Sequence, residues 1–322
     1  MSLADPGQPK LFYVLEECQV DKDDLGNWES TLKKLGVEYA IVKRVPFAKT
    51  LEEAFPDGLP TQIQQKYFHF KDAETGKIFA SEYIDRELGK LERFEYIPNY
   101  YCTIQFADLI KDHADILKAD SCYNASNGML DCTNYYPLID ESIPLLNRNN
   151  LIVPFRTLMD YWEGLFTYFN TSCIFIRPNS CYKPWVGGSF VLPGGREEFH
   201  KVIKTTDGKP IPNTQLCQVS VSKHIIAEYR FIIWDRKIIT ESQYRRDGAL
   251  DKRIDYMEGA KKIAEQMCKN KWQPEIGYIC DVAELENNEF AIVELNGFAC
   301  SGLYAHDKTK IIQTLKDYYE KQ

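Results

Sequence analysis

The sequence predicts an α/β protein whose C-terminal part has α+β texture, on three observations. A strand–helix–strand pattern opens the chain, the texture changes near residue 151, and two strand pairs with polar turns follow. The expected division is into two domains, 1–150 and 151–322.

Taken in order, residues 11–15 are a short apolar run with strand character. Across 24–35, Leu25, Trp28, Leu32 and Leu35 recur at helical spacing, and Gly36 supplies a stop before a second strand at 37–42. This unit predicts a parallel strand pair. Residues 46–98 carry weaker signals, with a hairpin around Gly76, and 103–117 reads as a strand and a helix. Strands are expected at 151–155 and 172–176, with an amphipathic helix at 158–169 between them. A strand near 215–221 precedes two hairpins, 227–234 with 237–243 and 276–285 with 289–296. The helix expected at 255–269 carries Met257, Ala260, Ile263, Ala264 and Met267 on one face.

The 322 residues are 44% apolar and 13% aromatic, enough to build packed cores. A formal charge of −8 gives no general attraction to nucleic acid or to an anionic membrane, though a local basic cleft is allowed. No apolar run reaches the roughly 20 residues of a membrane helix, and no signal peptide is evident. Ten cysteines without a C-x-x-C pair, and five dispersed histidines, read as reduced thiols in a cytoplasmic protein rather than a zinc site.

Three segments carry chemistry. In 175–189, Arg177 leaves an apolar strand, Lys183 follows six residues later, and Gly187, Gly188 and Ser189 come next. Fixed cations beside glycines suit a polyphosphate, although a basic Gly turn is also a common solvated loop. In 227–240, alternation puts Glu228 and Arg230 on one strand face, either as a sheet-edge ion pair or as a hydroxyl acceptor beside an anion binder. In the last hairpin Asp281, Glu294 and Asn296 stand among apolar neighbours, and pairing of its strands would let them converge. Such hard oxygens suit Mg2+ or Mn2+, and a merely solvated face fits poorly with strands apolar on both sides.

In this order the segments resemble the ATP-grasp superfamily over roughly 151–310. The spacing in 175–187 is similar to the clade named for its two arginines and one lysine, as are the Glu228-Tyr229-Arg230 strand, the run 293–296, and 301–304. The resemblance implies an ATP-grasp fold at 151–322 behind a Rossmann-like pre-ATP-grasp domain at 1–150. It implies that Arg177 and Lys183 hold ATP phosphates under the 187–189 loop. The main chain at Val221 and Ser222 would meet adenine, and Glu228 the ribose hydroxyls. Arg230 and Arg245 would face the γ-phosphate and the acceptor carboxylate, and Asp281, Glu294 and Asn296 would ligate Mg2+. Arg156 is the nearest candidate for a further phosphate cation, and 119–150 is an irregular insert that would shape the substrate pocket.

The activity implied is ATP-dependent ligation, in which a small-molecule or peptide carboxylate becomes an acylphosphate that an amine attacks. The alternatives are a kinase on the same scaffold and a catalytically idle nucleotide-binding protein.

Overall fold

The computed structural model describes residues 7–20, 22–60, 63, 70–71, 78–79, 82–85, 90–113, 117, 122–123, 128–205 and 208–319. The expected turn at Gly76, and Asn124 and Asn127 of the insert, lie outside them. Two compact units form, one from 1–124 with 297–322 and the other from 125–296.

The first unit is built on a four-stranded sheet of order β2-β1-β6-β5. Strands β1 (Gly7–Glu16) and β2 (Glu38–Val42) flank helix α1 (Lys22–Lys34) and pair parallel, as the opening pattern predicts. Strands β3 (Phe70–Lys71) and β4 (Ile78–Phe79) form a separate antiparallel pair. The short β5 (Glu82–Asp85) pairs antiparallel with β6 (Lys90–Tyr101), which in turn runs parallel to β1. Of the strand and helix expected at 103–117, residues 104–112 are helix, α2 (Ile104–Asp112), capped by the Thr103 side chain, and 114–116 lie outside the described residues. A buried core of Phe12, Val14, Tyr100, Phe106 and Ile110 joins α2 to the sheet. At the carboxyl ends of β1 and β2, Glu16 and Arg44 form a buried ion pair at 2.6 Å.

The second unit holds two sheets. Strands β7 (Asn150–Pro154), β8 (Cys173–Pro178), β9 (Gly188–Val191) and β10 (Leu216–Val221) make a four-stranded sheet of order β7-β10-β8-β9. The amphipathic stretch at 158–169 is interrupted at Tyr161, giving α3 (Phe155–Asp160) and α4 (Trp162–Phe169). With α5 (Gly195–Val202) they pack Trp162, Phe166 and Phe199 on this sheet.

The other sheet has five strands in the order β13-β12-β11-β14-β15. Its members are β11 (Ile225–Trp234), β12 (Lys237–Arg246), β13 (Ala249–Arg253), β14 (Gly277–Leu285) and β15 (Phe290–Gly297). Tyr229, Phe231 and Ile233 of β11 and Tyr278, Cys280 and Val282 of β14 share a core with Ala260, Ile263, Ala264 and Met267 of α6 (Glu258–Lys269). Apolar residues thus face the helix, and alternation leaves the polar set of β11, β14 and β15 on the opposite face. A last helix, α7 (Lys308–Tyr319), belongs to the first unit. No described helix is long and apolar enough to cross a membrane, and no disulfide joins the described cysteines.

Candidate functional site

Strand register converts sequence spacing into proximity. Arg230 lies opposite Asp281 across β11 and β14, and its guanidinium grips that carboxylate with Nε to Oδ1 at 2.8 Å and Nη2 to Oδ2 at 2.7 Å. Both side chains are almost completely buried. The paired geometry offsets the cost of removing the two charges from water. Asn296 continues the chain of contacts, its Nδ2 donating to Asp281 Oδ2 and to Glu294 Oε1, each at 3.0 Å.

Glu294 is the hub. Arg177 Nη2 approaches its Oε2 at 2.9 Å and Lys183 Nζ its Oε1 at 2.6 Å, while Lys183 also donates to Asn296 Oδ1 at 3.0 Å. Burial alone would raise the Glu294 pKa, but the charges of Lys183 and Arg177 outweigh it and hold the carboxyl well below its usual range. Burial likewise works against the Arg177 charge, but Glu294, first among the groups that favour it, helps to carry the net shift upward. Lys183 sits in the left-handed region at φ +46°, a conformation of the kind that surrounding structure holds at functional sites.

The loop carrying Lys183 is anchored by residues the sequence reading did not single out. Thr133 N–H donates to Asn179 Oδ1 at 3.0 Å, and Cys181 N–H to Asp131 Oδ1 at 2.7 Å. Gly187 approaches β8 closely, for a β-carbon there would lie 2.8 Å from Arg177 Cβ. Gly188 and Ser189 open strand β9 opposite Ile176 and Phe175, rather than standing in a loop. Ser189 Oγ meets Ser222 Oγ at 2.7 Å, so the glycine segment and the end of β10 adjoin. Ser222 N–H is engaged by Cys173 O at 3.1 Å, while Val221 ends β10 opposite Ile174.

A second group lies on β11 and β12. Glu228 Oε2 accepts from Tyr244 Oη at 2.5 Å, and Oε1 from Arg245 Nη1 at 3.2 Å. Burial raises the Glu228 pKa against these two partners. The Tyr244 ring also carries the Arg230 guanidinium, 5.0 Å from its centroid. Tyr244 is a neighbour of Glu228 that the sequence did not reveal, because simple alternation turns it away from Arg245. Arg156 stands apart, exposed and near Asp160 at 3.5 Å. Among the described residues, no three His, Cys, Asp or Glu side chains cluster as a metal site; the convergent set is two carboxylates and an amide.

Residues 171–314 match the model for an ATP-grasp domain, family 2 of the clade named for its two arginines and one lysine. No curated protein matches the chain in sequence. Among solved structures, the ATP-grasp ligase PsnB, complexed with a phosphomimetic variant of its minimal precursor, Mg and ADP, aligns with TM-score 0.55. At 11% identity the match covers 98% of this chain and 100% of that one. D-alanyl-alanine synthetase A from Vibrio cholerae aligns with TM-score 0.55 at 9% identity, covering 98% and 99%. The D-cycloserine synthetase DcsG gives 0.54 at 9% identity, over 96% and 100%. Likeness at such identity shows a shared fold. With the family match, it means that this chain has the ATP-grasp fold and carries, over 171–314, an ATP-grasp domain of the two-arginine, one-lysine clade.

Proposed function

We propose that the chain is a Mg2+-dependent ligase that uses ATP to activate a carboxylate as an acylphosphate, which an amine then attacks. The observation that carries this reading is the charge cluster around Glu294. Two buried carboxylates are each matched by cations of the kind that also bind phosphate oxygens. The PsnB ligase, seen with Mg and ADP, supports the same ligands here.

The donor chemistry fits a hard divalent cation, since two carboxylates and an amide meet without sulfur or imidazole. Asp281, Glu294 and Asn296 would hold Mg2+ or Mn2+, which when bound offsets charge on the phosphates. Arg177 and Lys183 would take polyphosphate oxygens, with Gly187, Gly188 and Ser189 packed over them. The main chain at Val221 and Ser222 would border adenine, and Glu228 would accept from the ribose. Half-exposed Arg245 would yield its place on Glu228 to that hydroxyl and turn, with Arg230, toward the γ-phosphate and the acceptor carboxylate.

In the reaction, an acceptor carboxylate oxygen bonds to the γ-phosphorus as the bond to ADP breaks. The amine nitrogen then bonds to the acyl carbon, phosphate leaves, and the amine gives up a proton. The chain contributes positioning and charge neutralisation, which suffice for phosphoryl transfer without a protein nucleophile. We read 1–150 as the pre-ATP-grasp domain on the acceptor side and 151–322 as the ATP-grasp domain. An amino-acid or peptide carboxylate is the favoured acceptor class, by likeness to the ligase PsnB, complexed with a precursor peptide, and to D-alanyl-alanine synthetase A.

The test has two arms. Calorimetric titration with ATP and Mg2+ should show Asp281→Asn and Glu294→Gln weakening the metal-dependent part at least about tenfold; unchanged metal dependence in both rejects the metal assignment. A panel of amino acids and peptides should then release ADP and phosphate and yield an amide. A stable phosphoester would identify a kinase instead, and ATP binding without turnover on any acceptor an idle module.

A further inference from the structure

Tyr244 occupies a singular position in the sheet. Across β11 and β12, Ser242 pairs with Arg230, Gln243 with Tyr229, and then Arg245 with Glu228. The register therefore shifts by one residue, and Tyr244 is the extra residue of a β-bulge. A second shift against β13 falls at the same point, between Gln243 and Arg245. Bulges re-aim side chains beside functional sites. Here the bulge lets two consecutive residues, Tyr244 and Arg245, reach one carboxylate.

The two contacts to Glu228 differ in kind. Arg245 is 49% exposed along its side chain, long and flexible, so its hold is screened by water and readily exchanged. Tyr244 is 7% exposed, has only two side-chain torsions, and is fixed from both ends. Its hydroxyl donates to Glu228, while its ring lies against the Arg230 guanidinium. On the Arg245 side, Glu228 opens on a cavity of about 350 Å3 also lined by Lys223, His224, Asp247 and Gly248. There is room for a ligand where Arg245 now sits, and none is needed where Tyr244 sits.

We propose that Tyr244 is a positioning residue that fixes the nucleotide's hydroxyl acceptor, Glu228, and the phosphate-facing Arg230 relative to one another. This rests on the reading of Glu228 as the ribose partner. The hydroxyl aims the Glu228 carboxylate, and the ring lies against the guanidinium that grips Asp281. One buried side chain thus ties the sugar end of the nucleotide site to its phosphate end.

Steady-state and binding measurements with ATP and 2′,3′-dideoxy-ATP on the full chain test this. Tyr244→Phe keeps the ring and loses the hydroxyl. It should raise KM for ATP about tenfold, the scale of a hydrogen bond to a charged group, with a smaller change in kcat and little change for the dideoxynucleotide. Tyr244→Leu, which removes the ring as well, should also lower kcat.

A pH profile separates positioning from general loosening. Glu228 is faced by Tyr244 and Arg245 from β12, Asp281 from β14 and Glu294 from β15, with Arg230 beside it on β11. Of these, the Tyr244 hydroxyl and Arg245 favour the carboxylate and the two acids oppose it. Losing the hydroxyl should therefore move the acid limb of ATP affinity to higher pH. 3-Fluorotyrosine at 244, nearly isosteric and a stronger donor, should move it to lower pH and covers the case in which Tyr244→Phe folds poorly. Equal weakening of both nucleotides, or an unmoved acid limb in both variants, overturns the proposal. If Glu228→Gln abolishes the preference for ATP while Tyr244→Phe retains it, the Tyr244 assignment alone fails. If wild type and Glu228→Gln bind both nucleotides alike, the ribose reading fails with it.

Discussion

Glu294 and Glu228 project from the same sheet and respond to acid in opposite ways. Glu294 is held below its ordinary 4.5 by Lys183 and Arg177, which outweigh its burial. Its contribution to stability is thus fully present above about pH 4.5 and is lost only as pH falls through the depressed value. Glu228 is raised by burial, so the folded state binds its proton more readily than the unfolded chain, and stability declines as pH rises through that value. Glu294→Gln strands the buried Arg177 and should cost about 3 kcal/mol at neutral pH, the low end for a broken buried pair. The low end applies because the Lys183 side chain is 42% exposed and partly screened. Urea unfolding should find this cost constant from pH 8 to about 5 and shrinking below about 4.5. A cost that persists unchanged at pH 3 would contradict the ion-pair account. Glu228→Gln should cost less at neutral pH, since it also relieves an unfavourable buried charge.

Among the elements, α6 and β15 illustrate how tertiary contact overrides local preference. Gly259 lies in the first turn of α6, where Gly→Ala would normally add roughly 1 kcal/mol of helix stability. A β-carbon there would fall 2.1 Å from Phe290 Cε2 at the start of β15. Overpacking of this kind costs about 1–3 kcal/mol, so Gly259→Ala should destabilise, and Phe290→Leu in the same chain should recover most of the loss. A stabilised Gly259→Ala single variant, by chemical denaturation, would show that the ring moves aside freely. The strong periodic elements were legible in advance: β1, β2, α1, both late hairpins and α6 lie within a few residues of expectation. Strand β6 was not, because the sequence over 90–95 is rich in charge and has no clear apolar alternation; pairing with β1 and β5 makes it a strand. Strand β13, with its exposed Ala249, Leu250, Lys252 and Arg253, likewise exists through its partner β12.

At the level of the whole molecule, the chain returns to its beginning. Helix α7 buries Ile311, Ile312, Leu315 and Tyr319 in the first unit, where Tyr319 and Tyr123 share a hydrogen bond at 2.5 Å. Leu315→Ala removes a fully buried side chain and should cost about 2–5 kcal/mol. Hydrogen exchange should then accelerate in β1 and α1, which α7 packs against, while β11 and β14 amides of the second unit keep their rates. Equal acceleration in both would mean that the two units unfold as one.

The sequence by itself determined the chemistry available: which residues are cationic, acidic or glycine, and, through period-two alternation, which of them share a strand face. Glu228 with Arg230, and Glu294 with Asn296, were nameable on that basis, because local periodicity is a property of the backbone alone; Arg177, Lys183 and Asp281 stood out by residue type and by their neighbours. Only the tertiary structure decided which of them meet. Glu294 rather than Asp281 became the partner of both Arg177 and Lys183, Arg245 closed on Glu228, and Tyr244 entered the site through a bulge. Register, burial and bulges arise from competition among segments far apart in the chain. No window of local sequence contains that competition.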